Sequence, residues 1–203
     1  TLRANDSQGQ QPIALPLIDF RQRIDDPWLG GLVVVQANTL ALTRTSGQDT
    51  QRAFVSAQWD WRSLTGWGQE IRLTALGRGD LYHTDDSLLT AVPGYRGKDG
   101  WQGRAFASAA VDVSWPLIGA LWGGTQQLTP RVQIVATSPV DNVDIPNEDS
   151  RAFELDDGNI FALNRFPGYD RYEDNTRITY GVEWTFNRPG LRDHMGFSKG
   201  QHA

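Results

Sequence analysis

The sequence predicts an all-β fold in which antiparallel strands follow one another as a meander. The main observation is an alternation of apolar and polar residues that returns along most of the chain. In one segment Ala53, Val55 and Ala57 alternate with Arg52, Phe54 and Ser56. A period of two places successive side chains on opposite faces of a sheet. Gly-rich connectors separate these segments, and no stretch shows a convincing helical period.

The alternating segments predict eight strands, separated by turns and two long loops. The first long loop links the fourth and fifth strands, and the second is acidic and covers residues 138–158. Residues 187–203 are expected to form an irregular tail, and residues 1–203 as a whole form one domain. The predicted strands are Pro12–Phe20, Leu29–Thr43, Thr50–Leu64, Gln69–Leu81, Gln102–Ser114, Leu128–Thr137, Asn159–Phe166 and Arg177–Phe186.

Composition excludes several classes of function. The chain has 203 residues and a net charge of -5, which argues against a nucleic-acid partner because such domains carry basic patches. Cysteine is absent, so disulfides, thiolate metal sites and thiol nucleophiles are excluded together. The longest uncharged run is shorter than the ~20 apolar residues of a membrane-spanning helix. No motif predicts a cofactor.

Strand length and charge placement favour a transmembrane β-barrel over a soluble sandwich. Several predicted strands are a dozen residues long, whereas strands of globular proteins usually have ~5–6. Charged residues such as Arg72, Arg104, Asp112 and Arg131 stand within strands. A passive porin-type barrel and a soluble sugar-binding β-sandwich remain alternatives on this pattern. Tryptophans near strand ends predict the aromatic girdles of a barrel; they are Trp59, Trp61, Trp67, Trp101, Trp115 and Trp184.

The segment from Pro146 to Trp184, PNEDSRAFELDDGNIFALNRFPGYDRYEDNTRITYGVEW, carries a resemblance to a known family. It resembles the barrel of the LptD family, the lipopolysaccharide-assembly proteins of the Gram-negative outer membrane. The family pattern combines Asn-Glu-Asp-Ser near a turn with Asn-Arg-Phe-x-Gly-x-Asp-Arg-x-Glu. The matching positions are Asn147, Glu148, Asp149, Ser150, Asp156, Asn159, Ile160, Phe161, Asn164, Arg165, Phe166, Gly168, Asp170, Arg171, Glu173, Thr176, Arg177, Tyr180 and Gly181.

The resemblance implies that the chain is an internal part of an outer-membrane barrel of roughly two dozen strands. It also implies transport of lipopolysaccharide into the outer leaflet, without enzymatic activity. The implied partners are lipopolysaccharide, periplasmic proteins that form a bridge for it, outer-membrane lipid and an LptE-like lipoprotein that plugs the barrel. No metal or cofactor is implied.

The charged residues of this segment predict a structural cluster on the water-filled side of the barrel. Arg165, Asp170, Arg171, Glu173 and Arg177 are expected to pair across neighbouring strands and turns. Gly168 is expected to supply an unusual φ in a tight turn. The three histidines, His83, His194 and His202, are scattered along the chain and predict no metal or catalytic site. Calcium is conceivable at the acidic loop, although its carboxylate spacing differs from that of an EF-hand.

Overall fold

The computed structural model describes residues 11–26, 29–150 and 154–188, and the backbone of 195–201. Within these residues the chain forms one open, nine-stranded antiparallel sheet, which confirms the predicted all-β meander and is consistent with part of a barrel. Its helical elements are two 3-10 turns, Ser87–Leu89 and Pro93–Tyr95. The described residues contain no helix with the length and hydropathy needed to cross a bilayer. The strands are β1 (Ile13–Asp25), β2 (Leu32–Thr43), β3 (Asp49–Leu64), β4 (Glu70–Asp85), β5 (Gly100–Ser114), β6 (Leu117–Leu121), β7 (Gly124–Thr137), β8 (Asn175–Asn187) and β9 (Met195–Gln201).

The strands pair in chain order, except that β5 pairs with β7 and not with β6, which follows it in the chain. The short strand β6 forms a hairpin with β7 that the sequence did not predict. The two residues between them, Trp122 and Gly123, have φ angles of 47° and 75°. Positive φ at both central residues is typical of the two-residue turns that match the twist of a hairpin.

The structure corrects the prediction in two further places. Residues 159–166, predicted as a strand, form turns. Asp156 accepts hydrogen bonds from the backbone N–H groups of Gly158 and Asn159, at 2.9 and 3.0 Å, and such local bonds compete with strand pairing. The tail expected to be irregular contains β9, which pairs with β8.

The two faces of the sheet differ in the way that the alternation predicts. One face, called here the outer face, carries exposed apolar side chains such as Val55, Val111 and Ile178, which are 59%, 45% and 56% exposed. The opposite, inner face carries Arg52, Arg104 and other charged residues that are buried. A soluble sandwich buries its apolar faces against each other, whereas this sheet leaves its apolar face exposed, which is consistent with part of a membrane barrel.

The tryptophans near the short turns follow a diagonal across the outer face. Pairing places Trp61 in one row with Leu73, Val111, Ile134 and Ile178. Trp184 lies six residues beyond Ile178 along β8, toward the short turns. Along the strands, Trp184 is therefore offset from Trp61 by about 20 Å. Across the strands, the two residues are four inter-strand spacings apart, which is about 19 Å. A line through the two tryptophans is therefore inclined to the strands by roughly 45°, close to the strand tilt of membrane barrels.

Trp101 lies at the opposite end of the sheet, ten residues from Val111 on β5 and beside His83, with ring centroids 4.7 Å apart. Its separation from the diagonal, measured perpendicular to that line, is about 30 Å for strands rising ~3.4 Å per residue. The apolar band of a transmembrane barrel is ~25 Å tall between its girdles. The other girdle candidates, Trp59, Trp67 and Trp115, all lie near the short-turn end.

Candidate functional site

The connection between β7 and β8 folds back over the inner face of the sheet. We call residues 138–150 and 154–174 the inner loop. Val140 and Tyr172 from this loop form a small buried core with Phe106 of β5. The rings of Phe106 and Tyr172 have centroids 4.5 Å apart. The inner loop therefore buries the charged face of the sheet, and its backbone needs hydrogen-bond partners there.

Two aspartates join the halves of the inner loop through reciprocal hydrogen bonds. One oxygen of Asp149 accepts from the backbone N–H groups of Tyr169 and Asp170, at 2.9 and 3.0 Å. One oxygen of Asp170 accepts from the N–H groups of Glu148 and Asp149, at 2.7 and 3.1 Å. Each carboxylate thus satisfies two backbone donors of the other half. Residues 148–149 and 169–170 are thereby held together without forming a strand pair.

Arg52 of β3 attaches this aspartate pair to the sheet. Its Nη1 lies 2.7 Å from Asp149 and 2.6 Å from Asp170. The hydroxyl of Tyr82 donates to Asp170 at 3.1 Å. Burial opposes ionisation of Asp149, but the charge and hydrogen bond of Arg52 hold the pKa of this carboxyl below its usual value. Arg52, Tyr82, Asp149 and Asp170 are called the clasp.

Gly168 allows the clasp to close. Its φ is +70°, as expected for the unusual backbone that the sequence predicts at this position. A Cβ atom on Gly168 would lie 2.4 Å from Oδ1 of Asp149 and 2.7 Å from its carbonyl oxygen. Both the conformation and the close approach require a glycine.

A row of arginines on β4 and β5 binds the backbone of the inner loop beside the clasp. Arg78 donates to the carbonyl oxygen of Tyr169 at 2.8 Å, and Arg104 donates to that of Asp170 at 2.9 Å. Both arginines also bind Asp80, which lies between them, at 2.5 and 2.8 Å. The guanidinium groups therefore neutralise a buried carboxylate and satisfy the carbonyl groups of the loop.

Further contacts fix the inner loop to the end of the sheet where β4 is connected to β5 and β7 to β8. Arg44 in the β2–β3 turn binds Glu148 at 2.6 Å, and Gln48 donates to the same carboxylate at 2.9 Å. Arg171 donates to the carbonyl oxygens of Ile145 and Gly94, at 2.8 and 3.3 Å. The inner loop is thereby tied to both neighbouring loops at this end.

Glu173 forms a separate ion-pair cluster where the inner loop enters β8. Arg165 binds it at 2.5 Å, and Arg177 makes a second ion pair with it. Burial opposes ionisation, but the hydrogen bond and charge of Arg165 and the charge of Arg177 lower the pKa of Glu173 below its usual value. Among the described residues, no group of three or more His, Asp or Glu side chains is arranged to hold a metal ion.

Comparison with known proteins places this geometry in a family. The sequence matches the profile of the family described as LPS transport system D, LptD, over residues 1–202. The chain belongs to the LptD family. It is also similar to the LPS-assembly protein LptD of Ralstonia nicotianae, with 37% identity over 73 residues. That match covers 35% of this chain and 9% of the relative, so the chain spans a small part of the relative's length.

The structure distributes the residues of the LptD-like segment over distinct positions. Asn147 and Ser150 bond to each other across a turn, with Ser150 N donating to Asn147 Oδ1 at 2.9 Å. Asp156 and Asn159 lie in an exposed turn. Phe161 packs beneath the guanidinium of Arg131, which lies 4.2 Å from its ring centroid.

The remaining residues of the segment lie on β8 or inside the loop. Asn164 donates to the carbonyl oxygen of Arg171 at 2.9 Å and accepts from the N–H of Glu173 at 3.1 Å. Phe166 lines a cavity. Gly181 lies on β8 next to Phe161, where an added Cβ would be 3.4 Å from the ring. Tyr180 is 41% exposed and belongs to the outer face.

The expected charge cluster is divided in two. Arg165, Glu173 and Arg177 pair with one another, whereas Asp170 belongs to the clasp and Arg171 binds backbone carbonyls. Several residues that hold the loop were not predicted, because the family-like segment does not contain them. For Arg52, Arg78 and Asp80 the signal was charge at inner-face positions of predicted strands, whereas Arg44 and Tyr82 lie one residue beyond the predicted strands. The missed residues are Arg44, Arg52, Arg78, Asp80 and Tyr82.

Proposed function

We propose that the chain forms part of the wall of an outer-membrane barrel that transports lipopolysaccharide into the outer leaflet. The carrying observation is an LptD-family sheet with an exposed apolar outer face and a charged inner face covered by its own loop. Lipopolysaccharide has sugars and phosphates that need a hydrated polar path and acyl chains that need an apolar one. A sheet with these two faces offers a boundary between both environments.

The lengths of the longest connections support one orientation in the membrane. Outer-membrane barrels have short periplasmic turns and longer extracellular loops. The β3–β4 and β6–β7 turns lie at one end of the sheet, and the connections from β4 to β5 and from β7 to β8 lie at the other. The Trp101 end therefore faces the cell exterior. The inner loop enters the barrel from that side and narrows the lumen.

β1 and β9 are the two edge strands of the sheet, and each has one side without a strand partner among the described residues. Unpaired backbone groups are not stable within lipid, so these edges pair with other strands of the full-length protein. The assembly then works as a transporter and not as an enzyme. An LptE-like lipoprotein occupies the lumen, and periplasmic bridge proteins deliver the lipopolysaccharide.

The function is tested by depleting the full-length protein from its own cells. We expect the arrival of newly made lipopolysaccharide at the surface, measured with a membrane-impermeant label, to fall on depletion and to recover with the wild-type gene. Unchanged arrival with reduced uptake of small solutes would indicate a passive porin. Recovery of the protein in the soluble fraction would instead indicate a sugar-binding β-protein.

A further inference from the structure

A cavity of about 380 Å³ separates part of the inner loop from the inner face of β2–β4. Its volume falls within the ~300–1,000 Å³ that is usual for small-molecule sites. Phe54, Phe166, Tyr169 and Tyr172 contribute aromatic rings to its lining. The strands add Ser56 and the amides of Gln36 and Gln58.

The aromatic side of the cavity is held in place. The rings of Phe54 and Tyr169 have centroids 4.8 Å apart, and Arg78 lies 4.0 Å from the Phe54 centroid. The Tyr169 hydroxyl accepts a hydrogen bond from Gln36 Nε2 at 3.0 Å. These contacts fix aromatic surface next to polar groups before any ligand binds, which reduces the entropy cost of binding.

The polar side offers neutral groups. The Ser56 hydroxyl has no hydrogen-bond partner within the part of the chain that the structure describes, and the Gln58 amide uses its nitrogen to bind Asp60 at 2.6 Å. Of the two arginines that line the cavity, Arg78 has an anionic partner, whereas Arg21 has only a neutral one among the described residues. Arg78 binds Asp80 and the Tyr169 carbonyl, and Arg21 donates to Gln36 at 3.2 Å.

This combination selects among ligand classes. An acyl chain would bury the Ser56 hydroxyl against hydrocarbon without a hydrogen-bond partner, which is costly for a polar group. A phosphate is bound most tightly by several charged donors, and Arg21 alone among the described lining residues offers a cation without a carboxylate partner. A saccharide ring has apolar C–H faces that fit aromatic surface and hydroxyls that pair with amides and hydroxyls. We propose that this cavity binds a saccharide unit of the transported glycolipid, an inference that rests on the proposed function.

The test uses the full-length protein in its native membrane. Ser56 is replaced by the photoreactive amino acid p-benzoylphenylalanine, and crosslinks to lipopolysaccharide are detected after irradiation. The matched control is the same replacement at Ala57, the next residue on β3, which lies on the outer face. Both sites are compared in cells with complete lipopolysaccharide and in cells whose lipopolysaccharide has a truncated sugar chain.

We expect Ser56 crosslinks to fall at least several-fold when the sugar is truncated, whereas any Ala57 crosslinks stay unchanged. Ser56 crosslinks that are insensitive to truncation would mean that the lipid portion occupies the cavity and would overturn the proposal. No crosslink at Ser56 while lipopolysaccharide still reaches the surface at the normal rate would overturn it too, and would leave the proposed transport function intact. If the bulky residue at Ser56 prevents assembly, the same measurement at Gln58 decides between these outcomes.

Discussion

At the scale of single residues, the most consequential feature is the buried guanidinium of Arg52 on the sheet, which carboxylates of the inner loop neutralise. Arg52 is 5% exposed and contacts two carboxylates that each bind backbone N–H groups. A buried ion is tolerated when its partner is present and becomes costly when the partner is removed. The clasp therefore makes the charge balance of the aspartate pair in the inner loop depend on one strand residue.

Replacing Arg52→Ala is expected to destabilise the attachment of the inner loop by about 3–5 kcal/mol, because Asp170 stays buried without its cation. The measurement is the rate of proteolysis within residues 154–174 in the full-length protein. The control is Arg62→Ala on the same strand, whose side chain is 66% exposed and lies 3.6 Å from Glu70. A solvent-exposed pair contributes about 0–1 kcal/mol, so the control should resemble wild type. Equal proteolysis of both variants would contradict the role of the clasp.

Gly168→Ala is a second prediction at this scale. The left-handed backbone alone costs an alanine roughly 1–2 kcal/mol, and the clash with Asp149 adds to this. Proteolysis of the inner loop should therefore accelerate. Gly79→Ala is the matched control, since an added Cβ there meets no atom within 4 Å. A protected loop in the Gly168 variant would show that the turn is not needed.

At the scale of elements, the strands and the inner loop divide the work of satisfying polar groups. The strands pair along most of their length, and those at the centre of the sheet expose small or apolar residues outward. Arg78, Arg104 and Asp80 then provide the inner face with partners for a loop that forms no ladder of its own. A long irregular segment is stable there because its backbone groups bind side chains.

Ala107→Arg is the prediction that belongs to β5. Ala107 is exposed on the outer face, about midway between Trp101 and the diagonal through Trp61 and Trp184, where a cation costs ~2–4 kcal/mol in a membrane barrel. Unfolding of the full-length protein from lipid vesicles by urea should shift to lower concentration. Ser114→Arg, on the inner face of the same strand and paired between Glu70 and Arg131, should cause a smaller change, because it meets one opposite and one like charge outside the lipid. A neutral Ala107 variant together with a damaging Ser114 variant would reverse the assignment of the faces.

At the scale of the whole molecule, the positions of the tryptophans and the pairing register give the orientation of the sheet. The diagonal from Trp61 to Trp184 gives the tilt of the strands, and the distance of Trp101 from that diagonal gives the height of the apolar band. Both quantities, roughly 45° and about 30 Å, are close to those of transmembrane barrels. No single strand contains this information, because it depends on how five strands are staggered.

Tryptophan fluorescence tests this orientation. The full-length protein is reconstituted with lipids brominated either near the headgroups or near the chain ends, using variants that each retain one tryptophan. Trp61, Trp101 and Trp184 should be quenched more by the shallow bromines, because aromatic girdles lie at the interfaces. A tryptophan introduced by Ala107→Trp should be quenched more by the deep bromines. The reverse order at Ala107, or no quenching at all, would exclude the proposed band.

The sequence predicted the strands where alternation was regular and failed where local polar contacts replaced it. Residues 53–61 alternate clearly, and β3 forms around them. Residues 159–166 are apolar enough to suggest a strand, but Asn159 and the preceding Asp156 bond to the nearby backbone. The family-like segment located one half of the candidate site. Its other half lies on strands up to 118 residues away along the chain, which no local pattern reveals.

By itself the sequence determined that the chain forms an antiparallel sheet with one apolar and one polar face, because side-chain alternation is a property of the extended backbone. It also determined the family, through a dense local match. Only the tertiary structure decided that the connection between β7 and β8 folds onto the polar face and that Arg52 joins Asp149 to Asp170. Those contacts depend on long-range register, since each arginine must reach the inner loop at the height where its carboxylate or carbonyl partner lies.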